Sequence, residues 1–338
     1  MADIKHILVI RLSSMGDVAM AVPVLLAFAQ SNPKVKLTVL TKKQFAPLFR
    51  DVKTATVMLA DFKELHTGFF GLYKLSKQIR KLNIDAVADL HNVLRTHVLK
   101  YILFGIKFNQ INKGRSQKRA LTEGVNFSPL RSTPERYADV FRNLGFSFKL
   151  NMPSFRAPKK LANSILSVLE RFSSAVIGIA PFAAYASKTY PILKMDKVIS
   201  ELQKKHIILL FGGGTEESRQ LQKLASKYTN VFSVAGKFSL DHELDIISNL
   251  KVMLSMDSSN GHMAAMLGVK VVTLWGVTHP HAGFAPFNQE VTNNVLSDRV
   301  KYPKIPTSIY GNSFPEGYEL AIETIPVKSV LEAVNNNL

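Results

Sequence analysis

Four short loops carry the residue types that can do chemistry. Asp257-Ser258-Ser259-Asn260-Gly261-His262 lies between two apolar runs, Lys251–Met256 and Val269–Trp275, an order that reads as strand, polar turn, short helix, strand. Small polar residues at a helix start leave backbone N–H groups and the positive helix end facing outward, a corner suited to phosphate or diphosphate. A plain helix cap at Asp257 or Ser258 satisfies the same pattern. The turn Ser13-Ser14-Met15-Gly16-Asp17 follows the first strand and runs directly into a helix. It has one glycine where a dinucleotide fingerprint needs three, which argues against that kind of pyrophosphate grip. Asp17 is placed either to cap the helix or to take a proton from a hydroxyl nucleophile. Gly212-Gly213-Gly214-Thr215-Glu216 after a strand is either a second anion or nucleotide turn, with Glu216 placed to bind ribose hydroxyls, or simply a tight turn that Gly213 and Gly214 permit. The irregular loop Pro181–Pro191 has one inner cation, Lys188, which is either a solvated surface charge or the neutraliser of a departing diphosphate. His279 and His281 have no Cys or carboxylate partners at metal spacing, so no metal is expected.

The elements that must position these loops alternate along the chain. Apolar stretches His6–Arg11, Lys36–Thr41 and Ala86–Leu90 read as strands. Helical patterns fall at Val18–Gln30, near Gln44–Phe49, and at Phe70–Leu82 and Arg95–Leu103. Such alternation implies parallel βαβ units in a doubly wound sheet. Asn112–Asn126 breaks the rhythm with Lys113, Arg115, Lys118 and Arg119 among Gly, Ser and Gln, and reads as a mobile basic loop. Thr133-Pro134-Glu135 opens a helix through Leu144. The stretch Asn151–Lys160, with Pro153 and Pro158, reads as a linker, giving domains over 1–155 and 156–338. The second half repeats the plan. Its predicted helices are Leu161–Phe172, Asp196–Lys204, Glu216–Lys227 and Leu240–Asn249; its strands are Ala175–Ala180, His206–Phe211, Val231–Val234, Val252–Ser255 and Val271–Trp275. A C-terminal helix near Val327–Val334, within 327–338, is able to pack on either domain. The expected fold class is therefore α/β, two Rossmann-like doubly wound domains, with ligands at the carboxyl ends of the strands and a central cleft as the default site.

Composition narrows the class. The 338 residues are 46% hydrophobic and 20% charged with no cysteine, as expected of a folded cytoplasmic protein without disulfides or thiolate chemistry. The net charge of +18 is lopsided: residues 1–160 hold 27 Lys and Arg against 10 Asp and Glu, the rest 16 against 15. That field implies an anionic partner for the first half, whether nucleic acid, a membrane surface or a phosphorylated substrate. A basic nucleic-acid-binding α/β protein is one alternative. It is weakened because stacking aromatics do not interleave the basic residues and no recognised module appears, so no nucleic acid is expected.

In order, the four loops resemble those of the ADP-heptose:lipopolysaccharide heptosyltransferases, glycosyltransferase family nine. Ile10-Arg11-Leu12-Ser13-Ser14-Met15-Gly16-Asp17-Val18 is close to the family's opening; Ser187-Lys188-Thr189-Tyr190-Pro191 is similar to its Lys-x-Trp-Pro, with Tyr190 for Trp; the Gly-rich turn and Asp257–His262 follow. The family's Asp-Thr-Gly corner is Asp257-Ser258-Ser259 here. The resemblance implies a GT-B fold with two facing domains and metal-independent, inverting transfer, with an ADP-sugar as substrate and no cofactor. It implies Asp17 as general base and Lys188 as the cation on the diphosphate. Gly213, Gly214, Glu216, Phe238, Asp257, Ser258, Ser259, Gly261 and His262 fall on the donor side. Ser13, Gly16, Arg95, Thr96 and Arg136 fall on the acceptor side, where the basic loop adds Lys113 and Arg115. The implied partners are ADP-heptose or a similar nucleotide sugar and an anionic lipid A/core oligosaccharide. The implied location is cytoplasmic, in peripheral contact with an anionic inner-membrane surface.

Overall fold

A computed structural model describes residues 4–150, 155, 157–159, 161 and 175–338. The expected helix 161–172 and most of the expected linker lie outside the described residues. Contacts divide the chain into two units, Met1–Lys113 with Thr133–Ser154, and Gly114–Ser132 with Phe155–Leu338. The segment 114–132, which the sequence places in the first half, therefore packs with the second unit.

The first unit is a five-stranded parallel sheet in the order β3-β2-β1-β4-β5, formed by β1 (His6–Ile10), β2 (Lys36–Thr41), β3 (Ala55–Leu59), β4 (Ala86–Asp89) and β5 (Lys107–Gln110). β1 is buried along its whole length, as a central parallel strand covered on both faces must be. Helix α1 (Met15–Ser31) is apolar nearly all round and packs on α5 (Thr133–Asn143), with the Phe28 ring 4.6 Å from that of Phe141. Helices α2 (Gly68–Arg80) and α3 (Leu94–Ile102) share one core with the strands: Leu72, Leu75 and Ile79 of α2 and Leu99 of α3 meet Leu8, Ile10 and Val87.

The basic segment departs from expectation. Arg115–Thr122 forms a helix, α4, rather than a mobile loop. Leu121 is buried, and the Lys118 ammonium sits 4.0 Å over the Phe284 ring. Strands β3 and β5 were not legible in the sequence; both are polar or half-exposed edge strands, paired with β2 and β4.

The second unit is a six-stranded parallel sheet in the order β11-β10-β9-β6-β7-β8. Its strands are β6 (Val176–Ala180), β7 (Ile207–Leu210), β8 (Val231–Ser233), β9 (Val252–Met256), β10 (Lys270–Trp275) and β11 (Asn294–Leu296). Helices α6 (Ile192–Leu202), α7 (Gly214–Ala225), α8 (Leu240–Ser248) and α9 (Ser259–Met266) connect them. The C-terminal helix α10 (Val327–Asn335) packs here, its Val330, Ala333 and Val334 joining the core of Ile177, Ile208 and Leu254. In both sheets the strand order reverses once, between β1 and β4 and between β6 and β9. Ligands of doubly wound sheets bind outside the carboxyl ends of the strands at such reversals.

Candidate active site

In the first unit the loops after β1 and β4 meet at the reversal. Asp17 is the third residue of α1, and its Oδ2 accepts from the Ser14 backbone N–H at 3.3 Å and the Ser14 hydroxyl at 2.8 Å. It thus acts as a helix-start cap, whatever further role it has. The same oxygen lies 2.6 Å from Arg11 Nη2. Arg11 is buried; its Nη1 donates to the Leu90 carbonyl at 2.6 Å, and its guanidinium lies 5.6 Å over the Tyr137 ring. The Tyr137 hydroxyl donates to the Asp17 carbonyl at 3.3 Å. Asp17 is therefore held from strand, helix and α5 at once, with its side chain still 24% exposed.

Across the reversal, Ser13 Oγ is 3.3 Å from His91 Nε2. Burial, reinforced by the charge of Arg11, Lys113 and Lys42 against the opposing pull of Asp17, pushes the His91 pKa down to about 3, so the imidazole is neutral at physiological pH. His91 is set by a rigid turn: buried Asp89 accepts from the His91 and Asn92 backbone N–H groups, each at 2.9 Å, and from Gln110 Nε2 at 2.9 Å. Asn92 takes a left-handed conformation at φ 48°. Ser13 belongs to this cluster, and Gly16 immediately precedes Asp17 in the first turn of α1. Thr96 is fully buried and spends its hydroxyl on the Val93 backbone as the α3 start. Arg95 lies 5.0 Å over the Phe62 ring, and Arg136 is buried with Nη1 on the Asn112 carbonyl at 3.2 Å. Lys113 ends the first segment of the first unit, whereas Arg115 begins α4 in the second unit.

In the second unit the reversal lies between β6 and β9, and there Lys188 Nζ reaches Asp257 Oδ2 at 3.2 Å. Thr278 Oγ1 donates to the same oxygen at 2.9 Å. Lys188 is buried, its loop pinned by the Ser187 hydroxyl on the Gly311 carbonyl at 2.5 Å. Gly276 makes that approach possible: a Cβ there would stand 2.0 Å from the Ser187 carbonyl oxygen. Tyr190 is fully buried, its hydroxyl donating to the Ile325 carbonyl at 2.8 Å, and burial raises its pKa to about 12. Ser258 stands at the start of α9 in extended conformation, and its Oγ is buried without a hydrogen-bond partner among the described residues. Ser259 opens the helix and His262 is buried one turn on. Gly261 faces the sheet: a Cβ would stand 2.5 Å from Ser255 Oγ, so helix–strand packing requires this glycine.

The glycine turn after β7 opens α7 with Gly213 as its cap and Gly214 at φ 72°. The acid that braces it is Glu217, whose Oε2 accepts from the Gly213 N–H at 2.7 Å. Glu216 points along the exposed helix face to Arg219 and Gln220, whose hydrogen bonds pull its pKa down to about 2. Phe238 is half-buried after β8. His279 and His281 pack against Phe127, with ring centroids at 5.0 and 4.6 Å, and the Arg299 guanidinium lies 3.5 Å over Phe127. Among the described residues, no three His, Asp or Glu side chains converge as a metal-binding group.

Residues 72–310 match the model of glycosyltransferase family 9 (heptosyltransferase). The chain belongs to glycosyltransferase family 9. It is 25% identical over 308 residues to the lipopolysaccharide core heptosyltransferase OpsX of Haemophilus influenzae, covering 87% of this chain and 84% of that one. Its fold is similar to that of the family 9 glycosyl transferase of Veillonella parvula, with a TM-score of 0.75 at 18% identity over 98% and 97% of the two chains. It is also similar to that of E. coli heptosyltransferase WaaC with ADP, with a TM-score of 0.66 at 18% identity over 98% and 97%. The family 9 assignment makes glycosyl transfer the activity class and replaces the nucleic-acid-binding alternative. Arg11, His91, Tyr137, Thr278 and Glu217 are site residues that the loop motifs alone did not single out. Arg11 was signalled only by its place in the opening motif, and Thr278 only by standing beside His279 after the last apolar run.

Proposed function

We propose that this family 9 protein transfers a heptose from ADP-heptose, or a related ADP-sugar, to an anionic lipid A/core acceptor, with inversion and without a metal ion. The observation that carries the reading is the convergence of Lys188 and Thr278 on Asp257 beside the unpartnered Ser258 hydroxyl, at the reversal of the second sheet. A buried cation, a hydroxyl donor and a helix start together suit a diphosphate. In the first unit, Asp17 supplies the only other requirement of the step, a positioned carboxylate at a strand end.

In this reading the Asp17 carboxylate accepts the proton of the acceptor hydroxyl as that oxygen attacks the anomeric carbon. The bond from that carbon to the diphosphate oxygen breaks in the same step, and ADP leaves with its new negative charge on Lys188 and the α9 start. The products are the glycoside, inverted at the anomeric carbon, ADP, and a protonated Asp17. Arg11 and Tyr137 act as positioning residues through Asp17.

The name of the Haemophilus relative supports a lipopolysaccharide core acceptor, and the basic first half suits its phosphates. Thermal-shift titration with ADP-, UDP- and GDP-sugars, followed by proton NMR of the glycoside formed on a truncated core acceptor, tests the proposal. It expects stabilisation by ADP-heptose above the other nucleotides and an inverted linkage. Stabilisation by none of them, or retention at the anomeric carbon, overturns it.

A further inference from the structure

The loop from Thr307 to Ser313 lies against the stem of Lys188. The Ser187 hydroxyl donates to the Gly311 carbonyl at 2.5 Å, and a Cβ on Gly311, at φ 84°, would stand 2.8 Å from Lys188 Cγ and Cδ. The loop is tied down from within and without. The Thr307 backbone N–H donates to the Val277 carbonyl at 3.0 Å and its hydroxyl to the Ser313 carbonyl at 2.9 Å, while Ser308 Oγ accepts from the Gly311 N–H at 3.0 Å. Tyr310, next to Gly311, is nevertheless 61% exposed, with its ring 6.2 Å from that of Phe284. Phe284 comes from the other flank of the same corner: two residues on, Pro286 stands 3.6 Å from where a Cβ of Gly261 in α9 would be. One exposed aromatic is ordinary. Two rings paired from separate loops, one of them anchored on the stem of a buried lysine, form a preorganised wall.

We propose that Tyr310, backed by Phe284, is the face on which the pyranose ring of the transferred sugar rests. The sheet order gives the direction. Lys188 follows β6 and Asp257 follows β9, the neighbouring strands at the reversal. The glycine turn and Phe238 follow β7 and β8 on one side, and Thr278 and Phe284 follow β10 on the other. A diphosphate centred on Lys188 has its nucleoside on one side and its sugar on the other. The glycine turn, where bare backbone lets a ribose approach closely, takes the nucleoside, and the β10 side receives the sugar. The C–H bonds of a pyranose are polarised by its oxygens and carry partial positive charge, which suits the negative face of an aromatic ring. The Lys118 ammonium already lies 4.0 Å over Phe284, so Tyr310 is the ring that offers its face. Tyr310 acts in this way only if Lys188 holds the diphosphate as proposed above, and it then selects for the sugar rather than for the nucleotide.

Calorimetric titration of ADP and of ADP-heptose, without acceptor, into wild type, Tyr310→Ala and Tyr310→Phe is the test. Because Tyr310 is exposed, neither change empties a core, and unfolding curves show that each variant is folded. Wild type is expected to bind ADP-heptose more tightly than ADP. Tyr310→Ala should weaken ADP-heptose binding by about three- to tenfold, the size of one lost aromatic contact, and leave ADP binding within about twofold. Tyr310→Phe keeps the ring and drops the hydroxyl, so it should bind both as wild type does. Four outcomes overturn the wall and leave Lys188 as the cation on the diphosphate: no gain of ADP-heptose over ADP in wild type, ADP-heptose binding untouched in Tyr310→Ala, an equal loss of ADP and ADP-heptose, or a full loss in Tyr310→Phe. Absence of ADP binding by wild type instead overturns the donor reading, and the wall with it.

Discussion

Arg11 Nη2 stands 2.6 Å from Asp17 Oδ2, while Nη1 of the same buried guanidinium holds the Leu90 carbonyl at 2.6 Å. One planar group thus ties the carboxylate after β1 to the end of β4, a geometry that a single ammonium cannot reproduce. Arg11→Lys should reduce turnover by about 10- to 100-fold, roughly 1.4–2.7 kcal/mol of barrier. Donor affinity should stay unchanged, because the residues proposed to hold the donor, Lys188 and Asp257, belong to the other unit. Steady-state kinetics alongside calorimetric ADP titration would separate the two effects.

Lys188 is the buried cation on Asp257. Lys188→Met should weaken ADP binding by about 10- to 100-fold, as loss of a charge-assisted contact to phosphate implies. Thr278→Val, which removes one donor from Asp257 and keeps the shape, should cost about 1 kcal/mol of stability and a smaller share of affinity. Calorimetric titration of ADP into each variant measures the affinity changes, and urea unfolding of Thr278→Val measures the stability change.

Gly276 should tolerate no side chain. Its Cβ would meet a backbone carbonyl, that of Ser187, at 2.0 Å, and backbone cannot rotate aside as a side chain can. Gly276→Ala should therefore destabilise the second unit by about 3 kcal/mol and displace the Lys188 loop. The expected signature in urea is a lower midpoint, with ADP affinity falling in the protein that remains folded.

Much of this site was legible because the loops follow strands, and strands of buried apolar residues are easy to see. β1, β2, β4, β6, β7, β9 and β10 all read directly from their apolar runs, and the loops after β1, β6 and β9 carry Asp17, Lys188 and Asp257. What escaped depends on tertiary contact. The strand β5, Lys107–Gln110, is polar because it is an edge and owes its state to pairing with β4. The basic stretch forms a helix because Leu121 is buried and Lys118 packs on Phe284, a partner more than 160 residues away. Glu216 and Glu217 are adjacent in sequence, and only the helix phase decides that Glu217 reaches the Gly213 amide while Glu216 turns to Arg219. Arg11 and His91 are far apart along the chain and share a site only because β1 and β4 are neighbours.

The depressed His91 pKa gives stability a direction with pH. An unfolded histidine titrates near 6.5 and this one at about 3, so between those values the unfolded chain binds the extra proton. The folded state is then fully favoured above pH 6.5 and loses stability as pH falls below it. At pH 5 the loss is about 2 kcal/mol from this group. Thermal unfolding at pH 7.5 and pH 5 should show that drop in wild type, and His91→Gln should remove a comparable part of it.

The most direct test of Asp17 as the general base is ADP release by Asp17→Asn in the presence of ADP-heptose and a core acceptor. The amide keeps the shape of the side chain but cannot take a proton. Donor binding should equal that of wild type, and ADP release should fall by at least about 100-fold. ADP release by Asp17→Asn at the wild-type rate would contradict Asp17 as the base.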